Sequence, residues 1–279
     1  MSIEIQDLHV RYGEQVAVSG LSLTVPEGSC FGLLGPNGAG KSSTIRCIAT
    51  TQAPTSGTIR VGGKDVATEG AAVRALLGVV PQGLAVYDGL TVQQNLRIFG
   101  GLYGLEGAKL AERVKWGLEL SQLGAHATKK AVELSGGMKR RLNIAAALLH
   151  DPKILIFDEP TAGVDPQSRN HIFETVRALH AEGRTVVYTT HYMEEVEALC
   201  DRVAIVDHGK LAACDALPAL LARAAPTGFH VTLKAPAPLA DVRARLEAAG
   251  FDLAEVAAEG RTLESAFLEL TGRGLRDAS

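Results

Sequence analysis

Sulfur and aromatic side chains are sparse in this 279-residue chain, which has four cysteines, three methionines, one tryptophan and an aromatic fraction of 5%. Cys30, Cys47, Cys200 and Cys214 stand far apart with no C-x-x-C pair. That spacing excludes a zinc ribbon, a thioredoxin-type centre and a disulfide framework, and leaves reduced thiols. An excess of either charge is also missing. The 28 basic residues against 31 acidic ones leave a net charge of -3, too little to gather nucleic acid or coat an anionic membrane by bulk charge. Long hydrophobic runs are absent: Ile154 to Phe157 and Ala145 to Leu149 fall far short of the ~20 residues that cross a bilayer. The opening Met1-Ser-Ile-Glu-Ile-Gln6 has neither the basic nor the apolar region of a secretory signal, so the chain is expected inside the cell, reaching any membrane through a partner. No repeat or low-complexity tract is visible. What remains is an ordinary globular composition, 46% hydrophobic and 21% charged, at a length that holds one or two domains and a sizeable core.

Residues 3–12 alternate apolar and polar side chains, with one slip of phase between Ile5 and Leu8, which reads as an edge strand with a bulge. Leu21 to Val25 and Cys30 to Leu34 read as strands, the second running straight into a glycine-rich loop. Ser42 to Thr50 follows as helix and Gly57 to Val61 as strand. From Leu90 to Leu149 the spacing turns helical, carried by Val92, Leu96, Phe99 and Tyr103 and then by Leu118 and Leu123. This predicts a helical part over about 83–150, entered at the Pro81-Gln82-Gly83 breaker. Ile154 to Phe157, Thr185 to Tyr188 and Val203 to Val206 are short apolar runs of the kind found in buried parallel strands. Strands alternating with helices imply a parallel sheet covered on both faces. Past a linker-like stretch at Ala224 to Gly228, strand patterns at Phe229 to Leu233 and Phe251 to Leu253 alternate with helical ones at Leu239 to Leu246 and Leu263 to Leu270. The chain therefore divides into a main domain, 1–222, and a small α+β appendage, 226–279.

Two motifs carry chemistry without any comparison. Gly35-Pro36-Asn37-Gly38-Ala39-Gly40-Lys41-Ser42 matches G-x-x-x-x-G-K-[ST] between a strand and a helix, the context of a phosphate-binding loop rather than a plain glycine turn. Its glycines let backbone N–H groups wrap phosphate oxygens, and the helix N-terminus adds a positive dipole. Lys41 would reach the β- and γ-phosphates, and Ser42 would offer its hydroxyl to Mg²⁺. Ile154-Leu-Ile-Phe157 ends in the adjacent acids Asp158 and Glu159, where ligands collect in an open α/β sheet. Asp158 would bind Mg²⁺ directly or through water, while Glu159 would orient or deprotonate an attacking water. A third segment, Ser135-Gly136-Gly137 opening an apolar-faced helix, is either an anion site or a helix cap with glycine slack.

With these motifs in this order over about 1–220, the chain resembles the ATP-binding subunits of ABC transporters, and Leu134-Ser-Gly-Gly-Met138 is similar to that family's LSGGQ signature. The resemblance implies a P-loop NTPase fold of α/β class, with a mostly parallel core sheet, an N-terminal antiparallel β part and a helical subdomain. It implies a nucleotide contact along Gly35, Pro36, Asn37, Gly38, Ala39, Gly40, Lys41, Ser42 and Ser43. It further implies a head-to-tail homodimer in which Ser135, Gly136 and Gly137 of one copy bind the γ-phosphate of ATP held by the other. Met138 departs from the family's glutamine. Tyr12 lies where the family stacks an aromatic on adenine, and Gln82 resembles the Q-loop glutamine that touches Mg²⁺ and senses the membrane subunit. Asp165 in Ala162-Gly-Val-Asp165 resembles the D-loop aspartate at the dimer interface, and is also a natural helix cap before Pro166. His191 resembles the H-loop histidine that contacts the γ-phosphate.

The resemblance makes Glu159, His191, Lys41 and Gln82 the catalytic set, with Ser42, Gln82 and Asp158 toward the metal. Leu90 to Leu96, Tyr103 to Leu105, Met138, His191 to Glu195, Leu199 to Arg202 and Leu263 to Gly272 together look like the ABC-2 exporter ATPases of the drug-resistance and nodulation type. In that group the permease is a separate membrane protein, which would keep this chain peripheral on the cytoplasmic face. The alternative is an ABC-type ATPase acting on ribosomes or nucleic acid. Such proteins often carry paired cassettes, basic linkers or long coiled coils, and this sequence has one cassette, no heptad run and no basic excess. No nucleic-acid partner is therefore expected. A regulatory protein without turnover is disfavoured by the intact Glu159 and His191.

Overall fold

The computed structural model describes residues 1–223 and 239–250. The chain begins with β1 (Ile3–Tyr12), β2 (Gln15–Val25) and β3 (Cys30–Leu34), then α1 (Lys41–Ile48), β4 (Ser56–Val61) and β5 (Lys64–Asp65). Next come α2 (Gly70–Leu76), β6 (Leu77–Val80), α3 (Val92–Leu102), α4 (Gly107–Leu120) and α5 (Gly136–Ala147). The remainder is β7 (Ile154–Asp158), α6 (Pro166–Ala181), β8 (Thr185–Thr190), α7 (Met193–Leu199), β9 (Arg202–Asp207), β10 (Lys210–Ala216), α8 (Leu217–Arg223) and α9 (Leu239–Ala248).

Two sheets form the body: a four-stranded antiparallel one in the order β2-β1-β4-β5, and a six-stranded one in the order β10-β9-β3-β8-β7-β6. The larger is parallel throughout except for its β9–β10 edge. All five residues of β3 and of β7 are buried, because each face of the large sheet is covered. Phe31, Leu33, Ile156 and Val187 point toward the small sheet and α1, while Cys30, Leu34, Phe157 and Tyr188 point toward Ile172 and Val176 of α6 and Val196 of α7. A third core, with Leu96, Val114, Leu142 and Ala145, closes the helical part.

The expected mostly parallel core sheet, antiparallel N-terminal part and helical segment are all present. Several details differ from the sequence reading. β1 lies inside its sheet, bonded to β2 on one side and β4 on the other, because alternation reports which face is buried and not how many neighbours a strand has. The phase slip is a bulge at Asp7, whose backbone adopts φ 47° and whose N–H donates to Ser22 Oγ at 2.9 Å. Gly57 passes so close that a Cβ there would sit 2.3 Å from the Asp7 carbonyl oxygen. α1 stops at Ile48, before the expected Thr50, which turns left-handed at φ 60°. The Phe229–Leu233 and Phe251–Leu253 strands and the Leu263–Leu270 helix lie outside the described residues; α9 matches the remaining expected helix of the appendage.

Candidate functional site

Parallel strands put their carboxyl ends along one edge, and in this sheet that edge gathers the sequence's chemistry. β3 leads into Gly35, β6 into Pro81 and Gln82, β7 into Glu159, and β8 into His191. Gly35 and Gly40 are required by close approach: a Cβ would lie 2.1 Å from the Val206 carbonyl oxygen at the first and 2.5 Å from that of Ala17 at the second, where φ is 99°. The loop holds Lys41 at its centre, 4% exposed, with Nζ donating to the carbonyl oxygens of Gly35 at 2.7 Å and Pro36 at 3.1 Å. Burial pulls the Lys41 pKa below that of a free lysine, opposed by the Glu159 carboxylate, whose Oε1 is 3.3 Å from Nζ.

The acids that end β7 are both buried. Asp158 Oδ1 accepts from Ser42 Oγ at 3.3 Å and from Thr189 Oγ1 at 2.6 Å. The Glu159 N–H donates to the carbonyl oxygen of Thr189 at 3.1 Å and to its Oγ1 at 3.0 Å. These bonds hold Glu159 at φ 45°, a left-handed backbone uncommon outside glycine that marks strained functional positions. Its carboxylate is the meeting point of the site. Besides Lys41, Oε2 accepts from Gln82 Nε2 at 3.1 Å and lies 3.6 Å from His191 Nδ1. That nitrogen has no hydrogen-bond partner among the described residues, and its ring packs on Tyr192 with centroids 4.0 Å apart.

A cavity of about 580 Å³ opens over these groups, lined by Asn37, Gly38, Gly40, Lys41, Ser42 and Ser43, by Gln82, Glu159, Ala162 and His191, and by Tyr12, Gln15 and Ala17. The volume falls in the range of small-molecule sites. Tyr12 is 42% exposed at the rim, with its hydroxyl donating to Gln52 Oε1 at 2.6 Å and standing 3.3 Å from Ser43 Oγ. The Ser43 hydrogen bond is the main cause of a Tyr12 pKa below the usual phenol value.

Ser135, Gly136, Gly137 and Asp165 do not line this cavity. Ser135 and Gly136 are exposed at the start of α5, where Ser135 Oγ accepts from the Met138 N–H at 3.3 Å and a Cβ on Gly136 would meet nothing within 4 Å. Gly137 is different: a Cβ there would sit 2.0 Å from Ser168 Oγ and 2.6 Å from Asp165 Oδ2. Asp165 caps α6 by accepting from the Ser168 N–H at 2.9 Å, and that N–H holds its carboxyl below the usual range. Met138 packs onto the helical core, where an apolar side chain suits the site.

Two contributors escape the sequence motifs. Thr189 ties both acids together from the neighbouring strand. Arg140, buried on α5 with its pKa lowered by that burial, donates to the carbonyl oxygens of Pro81 at 2.9 Å and Gln82 at 2.6 Å, fixing the Gln82 loop to the signature helix. The only sequence signal for Arg140 is its place two residues after Met138.

The family model described as ABC transporter matches residues 18–162. The chain is 40% identical to the linearmycin resistance ATP-binding protein of Bacillus subtilis (strain 168), over 99% of this chain and 100% of that protein. It is 39% identical to the Nod factor export ATP-binding protein I of Ralstonia nicotianae, over 99% of this chain and 95% of that one. Among solved structures, an ATP-binding subunit of an ABC transporter superposes with a TM-score of 0.75 at 26% identity, covering 97% of this chain and 100% of its own. A bacterial ABC transporter cassette solved as a dimer gives a TM-score of 0.70 at 25% identity, over 77% of this chain and 98% of its own. With a phosphate loop, paired acids and a buried lysine gathered on one sheet edge, and with relatives similar over almost its whole length, the chain belongs to the ABC transporter family as an ATP-binding, ATP-hydrolysing subunit.

Proposed function

We propose that this subunit drives export through a separate membrane permease, working as a homodimer on the cytoplasmic face of the membrane. The observation that carries the hydrolytic part is the Glu159 carboxylate, held between Lys41, Gln82 and His191 beside the phosphate loop. Similarity over nearly full length to a Nod factor export ATP-binding protein, beside a linearmycin resistance ATP-binding protein, supports the direction of transport. No helix among the described residues is long and apolar enough to cross a membrane, so force would pass to a partner that does.

In this reading the backbone of Gly35 to Gly40 and the start of α1 cradle the phosphates, Lys41 neutralises the β- and γ-oxygens, and Tyr12 stacks on the base. Glu159 orients or deprotonates water, with Gln82 Nε2 bonded to its Oε2 and His191 Nδ1 3.6 Å from the same oxygen. Hard oxygen donors suit Mg²⁺, and Ser42 Oγ with Asp158 Oδ1, 3.3 Å apart, offers them next to the Gln82 amide. Among the described residues no cluster of three or more His, Cys, Asp or Glu forms a protein-only metal site, which fits an ion completed by phosphate oxygens and water. When bound there, Mg²⁺ supplies neutralisation of charge across the β- and γ-phosphates. The exposed Ser135 and Gly136, with the Gly137 backbone, would close on the γ-phosphate held by a second copy, and Asp165 would meet that copy at the interface. The 1–222 unit would be the motor, with 83–150 as its helical part and 226–279 as an appendage.

Glu159→Gln keeps shape and volume but removes the carboxylate charge and replaces one acceptor oxygen by an amide donor. It is expected to bind ATP with near wild-type affinity, to lose turnover by on the order of 10³-fold, and to run at twice the mass of one chain in the presence of ATP. Phosphate release and light scattering read these outcomes. The tagged variant, purified from membranes with ATP in mild detergent, is expected to bring down a polytopic membrane protein in stoichiometric amount. Recovery of ribosomes or nucleic acid instead would overturn the exporter reading.

A further inference from the structure

Glu195 is an acid on α7 with no solvent exposure; it closes the His191 to Glu195 segment of the sequence and holds none of the roles assigned above. Its Oε1 accepts from Thr161 Oγ1 at 2.7 Å and lies 3.2 Å from Arg169 Nε. Its Oε2 accepts from Thr190 Oγ1 at 2.8 Å and from the Tyr188 hydroxyl at 3.2 Å. Removing a carboxylate from water costs several kcal/mol, so a buried acid survives only when donors surround it, and an apolar residue of similar volume is often no less stable. Packing alone therefore gives no reason for an acid here. What distinguishes the three donors and the paired arginine is where they sit. Thr161 follows Glu159 by one intervening residue, Thr190 directly precedes His191, and Arg169 lies one turn into α6, whose first turn is capped by Asp165. Tyr188 fixes the carboxylate to the middle of the sheet. Thr190 Oγ1 also accepts from the Tyr192 N–H at 3.0 Å, so both sides of His191 are pinned by one hydroxyl.

We infer that Glu195 is a positioning residue for ATP hydrolysis, a single buried carboxylate that sets the Glu159, His191 and Asp165 segments relative to one another. It touches neither substrate nor the reacting atoms. The inference rests on the roles proposed above for Glu159 and His191. Three side chains carrying chemistry arrive on three separate segments, and Glu195 hydrogen-bonds to two of these through Thr161 and Thr190 and faces Arg169 of the third at ion-pair distance. A displacement of the order of an ångström between catalytic groups costs up to about a hundredfold in rate, so the loss of its geometry should appear in turnover and not in nucleotide affinity.

The test compares the full chain with Glu195→Gln and Glu159→Gln, measuring steady-state kcat and KM for MgATP, the dissociation constant of a fluorescent ATP analogue, and the thermal midpoint. Glu195→Gln keeps volume but loses the charge opposite Arg169 and half of its acceptor oxygens. The expected result is a kcat lower by between about tenfold and a hundredfold, with KM and the analogue's affinity within about twofold. Wild-type kcat in Glu195→Gln with Glu159→Gln inactive overturns the inference alone. Wild-type turnover in Glu159→Gln overturns the proposed roles and this inference with them. Parallel losses in kcat, affinity and thermal midpoint assign Glu195 to stability and also overturn it. Should Glu195→Gln fail to fold, Thr161→Val, which removes one donor near Glu159, is read the same way, and an unchanged kcat there overturns the inference.

Discussion

Thr189 illustrates how one hydroxyl can organise a site that a pair of acids defines. It donates to Asp158 and accepts from the Glu159 N–H, so it sets the metal-side acid and the strained backbone of the neighbouring acid together. Thr189→Val keeps shape and β-branching but leaves a buried carboxylate oxygen short of a donor, which costs about 1–3 kcal/mol. The variant should melt at a lower temperature and need more Mg²⁺ for half-maximal activity, while its affinity for ATP without metal stays close to wild type. A Mg²⁺ titration of turnover beside a thermal melt checks this, and an unchanged Mg²⁺ requirement would refute the link between Thr189 and the metal. Lys41 makes a complementary point: its charge is kept in a buried place by two carbonyl oxygens and Glu159, so the loop presents a cation already desolvated for phosphate.

At the scale of elements, the α5–α6 contact separates two neighbouring glycines that the signature motif treats alike. Gly137→Ala drives a methyl into Ser168 and Asp165 and should destabilise by about 1–3 kcal/mol through overpacking. Gly136→Ala meets open space and should leave stability equal or better by up to ~1 kcal/mol, since alanine favours helix over glycine. Thermal melts of the two variants distinguish them, and if Gly136→Ala loses turnover while its fold is intact, the loss belongs to the surface meeting a second copy. Much of this was legible in the sequence. The apolar runs at Cys30, Ile154 and Thr185 lead into Gly35, into the Asp158–Glu159 pair and into His191, so strand, breaker and chemistry coincide along the chain. β6 was not legible, because Leu77-Gly-Val-Val is short and broken by a glycine whose missing Cβ makes room for Pro152 and the Ala147 carbonyl oxygen. The contacts of Thr189, Arg140 and Glu195 were hidden for another reason: their partners lie on other elements, and periodicity within one element says nothing about contacts between elements.

For the whole molecule, the order β10-β9-β3-β8-β7-β6 has a consequence in time. β3 pairs with β8 and β9 and with no strand near it in sequence. A ribosome adding ~5–20 residues per second completes residue 34 roughly 8–30 s before it reaches residue 190. Throughout that interval the strand leading into the phosphate loop, wholly buried in the finished protein, has both hydrogen-bonding edges without their native partners. Folding of the larger sheet is therefore delayed until the last third of the body exists, and an unpaired apolar strand in the meantime invites aggregation. A chain stopped at Glu182 should pellet after translation, whereas one stopped at Arg223 should remain in the supernatant, and sedimentation of the two products checks it. Nascent chains of this subunit are thus expected to depend on chaperone cover through most of their synthesis and to shed that dependence abruptly once β8 and β9 emerge.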